Sequence, residues 1–239
     1  GALAGDALTT GSDNVALGYF ALSGDTLGSA STAIGRSALR DQNFTTATTA
    51  YNVAVGYNAG VSVTTGLQNT LIGGVAGDAL TDADYNVAIG YTALGADTLG
   101  SRSVAIGRSA LQTQNFTTAT NTYNVAVGYA AGGAVTTGIQ NTLIGGLAGD
   151  ATTTGSTNVA VGYNALSVNK VGSHSVAIGD HALLIQNPST ATDMHNVAVG
   201  SEAGSQITTG DENTLIGGLA GDALTTGSDN VAIGKDALS

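Results

Sequence analysis

Apolar and polar residues alternate along this chain in short bursts, each closed by a glycine. The stretch Asn52-Val53-Ala54-Val55-Gly56 is typical, and thirteen such stretches end at glycines from Gly18 to Gly234, spaced 17, 21, 17 and 17 residues apart before the order repeats. Four residues before the glycine stands Asn in ten copies and Ser in three, Ser31, Ser103 and Ser175. Val or Thr follows, then a small residue, then Val, Ile or Leu. A period of two with β-branched residues on one face predicts a short strand. A helix needs apolar spacings of three and four, which runs such as Val63-Thr64-Thr65-Gly66 interrupt. Three residues after the glycine every copy has Ala, from Ala21 to Ala237, usually followed by Leu or Gly. That segment predicts a second short strand or an inward-pointing turn before the chain loops back.

Strands that recur once per coil stack side by side in parallel, each about 4.8 Å from the next, so thirteen coils predict a rod of roughly 60 Å. The expected fold is all-β: a parallel β-roll or β-solenoid of thirteen short coils, running as one continuous region over residues 1–239. Four coils make a superrepeat of 72 residues, which carries Asp6 to Asp78, Asp150 and Asp222, and Tyr19 to Tyr91 and Tyr163. The sequence opens in mid-coil and stops soon after Asp236-Ala237-Leu238 with no atypical capping coil, which reads as an excerpt of a longer fibre. A coil this short buries too few aliphatic side chains to offset the entropy of ordering its own backbone, so neighbouring coils must supply the rest. Its interior has room for a pair of large aliphatics and some alanines. The expectation is therefore a flat, alanine-rich outer face that packs against copies of itself.

The signature Asn/Ser-Val-Ala-Ile-Gly, as in Ser103-Val104-Ala105-Ile106-Gly107 and Ser175-Val176-Ala177-Ile178-Gly179, resembles the head repeats of YadA-like trimeric autotransporter adhesins. Similar repeats occur in bacteriophage tail-fibre proteins. The resemblance runs through all thirteen coils and implies a left-handed roll, three of which associate about a threefold axis as a homotrimer. Two features depart from that pattern. The coils are longer than the uniform head repeat, and in every fourth coil Leu71, Leu143 or Leu215 takes the small-residue slot, with Gly74, Gly146 or Gly218 in place of the aromatic seen at Tyr57 or Tyr129. These leucines are expected to face the subunit interface as an apolar plug.

Composition narrows the picture. The 239 residues include 36 Gly and one Pro, yet 42% are hydrophobic, too many for a disordered Gly-rich segment. There is no Cys, hence no disulfide and no thiolate metal site. Six basic residues against seventeen acidic ones give a net charge of -11, which argues against nucleic acid as a partner. No apolar run is long enough to span a bilayer.

Candidate chemistry is sparse, and no catalytic residue, cofactor or metal site is assigned. The Asn column is either a glycan-binding ladder or, as stacked amides favour, a structural one. The Asp column, with members four coils apart, reads as a turn. His174, His181 and His195 are the only histidines and show no paired ligands at metal spacing, although three copies of one His in a trimer would meet on the axis. The long coils insert residues before Asn52, Asn124 and Asn196, in loops holding Gln42-Asn43-Phe44, Gln114-Asn115-Phe116 and Gln186-Asn187-Pro188. Phe44, Phe116 and Pro188 are the candidate contacts with a receptor or glycan, set against folding back over an adjacent coil.

The reading is a non-catalytic fibre shaft or head, homotrimeric, on a virion surface as in a phage tail fibre, or else extracellular on a bacterial cell as an autotransporter adhesin head. Its partners are copies of itself and a host-surface glycan or protein. An ice-binding solenoid would need Thr arrays in every coil, whereas Thr64-Thr65, Thr136-Thr137 and Thr208-Thr209 recur every 72 residues. A carbohydrate-cleaving β-helix would need paired carboxylates on one face.

Overall fold

The computed structural model describes residues 1–239 as an all-β parallel solenoid of about thirteen turns, without a helix. The chain forms two compact units, Gly1–Tyr123 and Asn124–Ser239. The first contains six three-residue strands: Val15–Leu17, Thr32–Ile34, Val53–Val55, Thr70–Ile72, Val87–Ile89 and Val104–Ile106. The second contains seven: Val125–Val127, Thr142–Ile144, Val159–Val161, Val176–Ile178, Val197–Val199, Thr214–Ile216 and Val231–Ile233.

Within each unit the strands pair in parallel with equivalent residues opposite one another. In the first, Val53 faces Thr70, which faces Val87, and Ala54 faces Leu71, which faces Ala88. In the second, Val125, Thr142 and Val159 line up in the same way. Each strand ends at the repeat glycine, which adopts a φ no other residue takes easily. At Gly56 φ is 144°, and an added Cβ would lie 2.3 Å from the carbonyl oxygen of Gly73 in the next coil. Both the backbone angle and the close stacking thus exclude a side chain here.

The alternation puts the small residue inside and the β-branched residues outside. Ala33, Ala54, Ala88 and Ala105 are fully buried, while their Val, Thr and Ile neighbours stay partly open to solvent. This corrects the expected alanine-rich outer face: the outward ladder is Val, Ile and Thr. The reason is width. The residue four after the glycine points at the middle of the neighbouring strand, as shown by Gly5, where an added Cβ would lie 3.7 Å from the Ala16 methyl. Where that turn position holds Leu22, Leu39, Leu94, Leu111, Leu166 or Leu183, all fully buried, only alanine fits opposite.

The same complementarity explains the exceptional leucines. Leu71, Leu143 and Leu215 are fully enclosed by their own chain, so they are not at a subunit interface, and the expected plug is a plug of the coil interior. Glycine occupies the turn position beside them. An added Cβ at Gly60 or Gly77 would lie 2.5 or 2.8 Å from the Leu71 side chain, and one at Gly204 or Gly221 would lie 2.8 Å from Leu215. Leucine has moved from turn to strand while the interior volume stays filled.

The segment after the glycine is a turn and not a second strand. It carries two left-handed residues flanking the inward Ala, for instance Ser37 and Leu39 with φ of 58° and 48°. Short second strands occur only beside the long coils. Gly28–Ser29 pairs with Thr48–Thr49, Gly100–Ser101 with Thr120–Asn121, and Gly172–Ser173 with Thr192–Asp193.

Candidate functional site

Two surfaces of the coil carry chemistry: the outward face of the strands and the polar platform that each long coil builds. On the strand face the outward positions hold Val, Ile, Leu or Thr at every rung of each unit, and none holds a charge. Ile72 and Ile144 are more than a third exposed, and Val87, Ile89, Val104 and Ile106 are half-buried. After the glycine stands an exposed tyrosine in several coils, Tyr57, Tyr91, Tyr129 and Tyr163 among them, and a charged residue in others, as at Arg36, Arg108, Asp180 and Lys235. Tyr91 and Tyr163 lie close over Gly74 and Gly146, where an added Cβ would meet each ring at 3.5 Å. The tyrosine of the next coil thus lies in contact range of the glycine that replaces the aromatic.

The Asn column is structural. Asn52, Asn69 and Asn86 are fully buried, which removes them from any glycan. Each Oδ1 accepts from the backbone N–H of the equivalent residue one coil on, Asn52 from Asn69 at 2.9 Å and Asn69 from Asn86 at 3.0 Å. Each Nδ2 donates to a backbone carbonyl of its own coil's return loop, as Asn52 does to Gly66 at 2.7 Å. The amide closes one coil and couples it to the next, which apolar side chains cannot do.

The three serines of this column mark the coil before each long one, and they make room for a glutamine. Gln42 Nε2 donates to Ser31 Oγ at 3.1 Å and to Asp25 Oδ2 at 2.6 Å, while its Oε1 accepts from Asn52 Nδ2 at 2.9 Å. Asp25 also accepts from the N–H of Gly28 at 3.0 Å and of Phe44 at 3.3 Å. Asp97 repeats this with Gly100 and Phe116, each at 3.0 Å. Sequence reasoning passed over these buried polar hubs, although Asp25 and Asp97, Ser31 and Ser103, and Gln42 and Gln114 recur together.

The Phe44 and Phe116 backbones are tied to these hubs, and both residues are at most 8% exposed; Pro188, at the same position of the third long coil, is buried too. Of the two readings of these residues, folding back over the coil holds and surface contact does not. What the long coils do expose lies a few residues further on. Thr49 and Tyr51 flank the inward Ala50, Asn121 and Tyr123 flank the inward Thr122, and Asp193 and His195 flank the inward Met194. Opposite each pair, on the preceding coil, stands Ala30, Arg102 or His174 in a left-handed conformation.

These three platforms share one backbone and differ in chemistry. On the second, Arg102 Nε donates to Asn121 Oδ1 at 3.0 Å, and the guanidinium sits 4.6 Å from the Tyr85 ring centre. On the third, His174 Nδ1 lies 2.9 Å from Asp193 Oδ1, and the rings of His174 and His195 stack with centres 5.2 Å apart. The structure thus joins two histidines that the sequence left separate. The signal was present in their spacing of 21 residues, the length of one long coil. His181 is apart from them and uses both ring nitrogens, toward Asp180 Oδ2 at 2.8 Å and Asn164 Nδ2 at 3.2 Å.

The Asp column is part of the turn. Burial raises the carboxyl groups of Asp78 and Asp150 above the ordinary range, opposed by backbone hydrogen bonds that favour the ionised form. Threonine is more regular than its pairs imply, with one in a shared position of most coils, including Thr64, Thr81 and Thr98. Their hydroxyls are committed: Thr64 Oγ1 donates to the carbonyl of Thr81 at 3.2 Å, and Thr81 Oγ1 to that of Thr98 at 3.1 Å. Asn43, Asn115, Lys170 and Asn187 interrupt the row. Neither feature builds a flat array of free hydroxyls. No protein-family model, curated protein or solved structure matches the chain.

Proposed function

We propose that the chain is a segment of a homotrimeric fibre that projects from a virion and supports attachment to a host surface. In this reading three left-handed rolls meet along their strand faces. The observation that carries it is the uncharged ladder of Val, Ile, Leu and Thr on the outside of every strand, bordered in part by exposed tyrosines. Within each unit, an apolar face of this kind marks an interaction surface. It repeats with the coil, so it complements another copy of itself at every rung, which favours a symmetric homo-oligomer over a foreign partner. The resemblance to YadA-like head repeats supplies the threefold symmetry and the handedness. A net charge of -11 carried off this face keeps the assembled fibre soluble and discourages side-by-side bundling.

In the assembly the half-buried Val and Ile of each rung become the interface core, while the long-coil platforms stay outward, where a host-surface glycan or protein would meet them. Light scattering on the intact segment is expected to give three times the chain mass. Val87→Asp with Ile89→Asp, two outward changes, is expected to give the single-chain mass while retaining the β circular dichroism of the folded coil. A parent chain that is a stable monomer overturns the reading.

A further inference from the structure

We infer that His174, Asp193 and His195 form a binding site for a divalent first-row transition metal such as Zn²⁺ or Ni²⁺, joining two adjacent coils in the second unit. The local backbone creates the site. Ser173 pairs with Asp193 and Val176 with Val197, so two residues of one coil face three of the next. The extra residue acts as a bulge and leaves Asp193 and His195 on either side of His174, with Met194 turned inward and fully buried. The Cα positions are held by the ladder and by left-handed φ values of 58° at His174 and 50° at His195. Only the exposed side chains need to move.

One ligand atom from each residue lies within 4.8 Å of the others. Ligands around a zinc ion, bound at about 2.0 to 2.2 Å, stand about 3.3 Å apart. The pair His174 Nδ1 and Asp193 Oδ1, at 2.9 Å, is already near that separation, and the His195 ligand atom, within 4.8 Å of both, would close the remaining gap by a side-chain movement. A carboxylate only accepts, so Nδ1 carries the proton in the metal-free pair. On binding, the ion takes the place of that proton, which leaves for Nε2 or for solvent. Two imidazoles and one carboxylate select the borderline metals over Ca²⁺ or Mg²⁺, which prefer all-oxygen sites. Open coordination positions face solvent.

The corresponding platform of the first unit places the Arg102 guanidinium beside Asn121. The third platform replaces that built-in cation by two imidazole rings and a carboxylate, an arrangement that a bound cation would complete. The variants that test the site are residues the chain itself carries at the same positions, so they fit the backbone: His174→Ala as at Ala30, His195→Tyr as at Tyr123, and Asp193→Asn as at Asn121.

The experiment is a Zn²⁺ titration of the full, untagged chain, read by NMR at the imidazole nitrogens, with affinity from calorimetry. The expected result is one Zn²⁺ per chain, with His174 and His195 responding together and His181 unchanged at the same concentration. His174→Ala and His195→Tyr should each weaken binding by about tenfold or more. No binding, an equal response at His181, or unaltered affinity in both variants overturns the assignment.

Discussion

The stretch from Gly90 to Tyr123 in the first unit and the stretch from Gly162 to His195 in the second are two copies of one cassette with opposite chemistry. The backbones agree closely: φ is 65° at Arg102 and 58° at His174, and 51° at Tyr123 and 50° at His195. In the first cassette a fully buried carboxylate, Asp97, collects the N–H groups of Gly100 and Phe116 and the amide of Gln114, and a cation stands outside at Arg102. In the second, Asn169 accepts from the Gly172 N–H at 3.0 Å and donates to its carbonyl at 2.8 Å, while the outside holds the His pair and Asp193. The lesson is that the superrepeat conserves a shape and not a charge.

Inside the cassette the exchange has a physical cause. Phe116 offers a backbone N–H to the buried carboxylate, and the residue in its place, Pro188, has none. With one fewer donor a carboxylate would be left poorly satisfied, and an amide that both accepts and donates suits the site better. Asp with Phe and Asn with Pro are therefore two internally consistent solutions for the same hub.

The comparison breaks most visibly at Asp97→Leu, which leaves three buried donors without their acceptor. It is expected to cost about 3 to 5 kcal/mol in denaturant unfolding, well above the cost of Asn169→Leu. A smaller effect sharpens it: Asn169→Asp alone should cost about 1 to 3 kcal/mol. Adding Pro188→Phe should recover part of that loss, with a double-mutant coupling of about 0.5 to 2 kcal/mol, and a coupling of zero would show that the two exchanges are unrelated. The smallest effect on stability is expected from Arg102→His, Asn121→Asp and Tyr123→His together, within about 1 kcal/mol of the parent. This exposed triple change should nevertheless give the first unit a Zn²⁺ site that calorimetry counts as a second ion per chain.

Much of this architecture was legible in the residues. The thirteen glycines, the period of two before them and the 17- and 21-residue spacing define the coils, their parallel pairing and their alignment, because a solenoid is built along one dimension and each residue meets its own counterpart. The structural role of the Asn column was also within reach, since stacked amides bond to one another and to backbone. The contact residues were not. Phe44 and Phe116 look like exposed loop aromatics until their N–H groups are seen bound to Asp25 and Asp97, and Pro188 follows the same path without that bond.

The sequence by itself determined that the chain repeats, where each strand lies and at which glycine it closes, all of which follow from local patterning and periodicity. Tertiary structure alone decided which side of each strand is inside. Hydrophobicity favours burying Val and Ile, but the coil interior is so narrow that Leu39 or its equivalents at the turn leave space only for alanine, and Leu71 enters only where Gly60 and Gly77 withdraw. The same holds for His174 and His195. Their separation equals one coil, yet the extra residue of the long coil must be placed as a bulge before the two rings and Asp193 face one another. Period counts residues around the coil, whereas packing assigns the volume within it, and only the folded chain supplies the second.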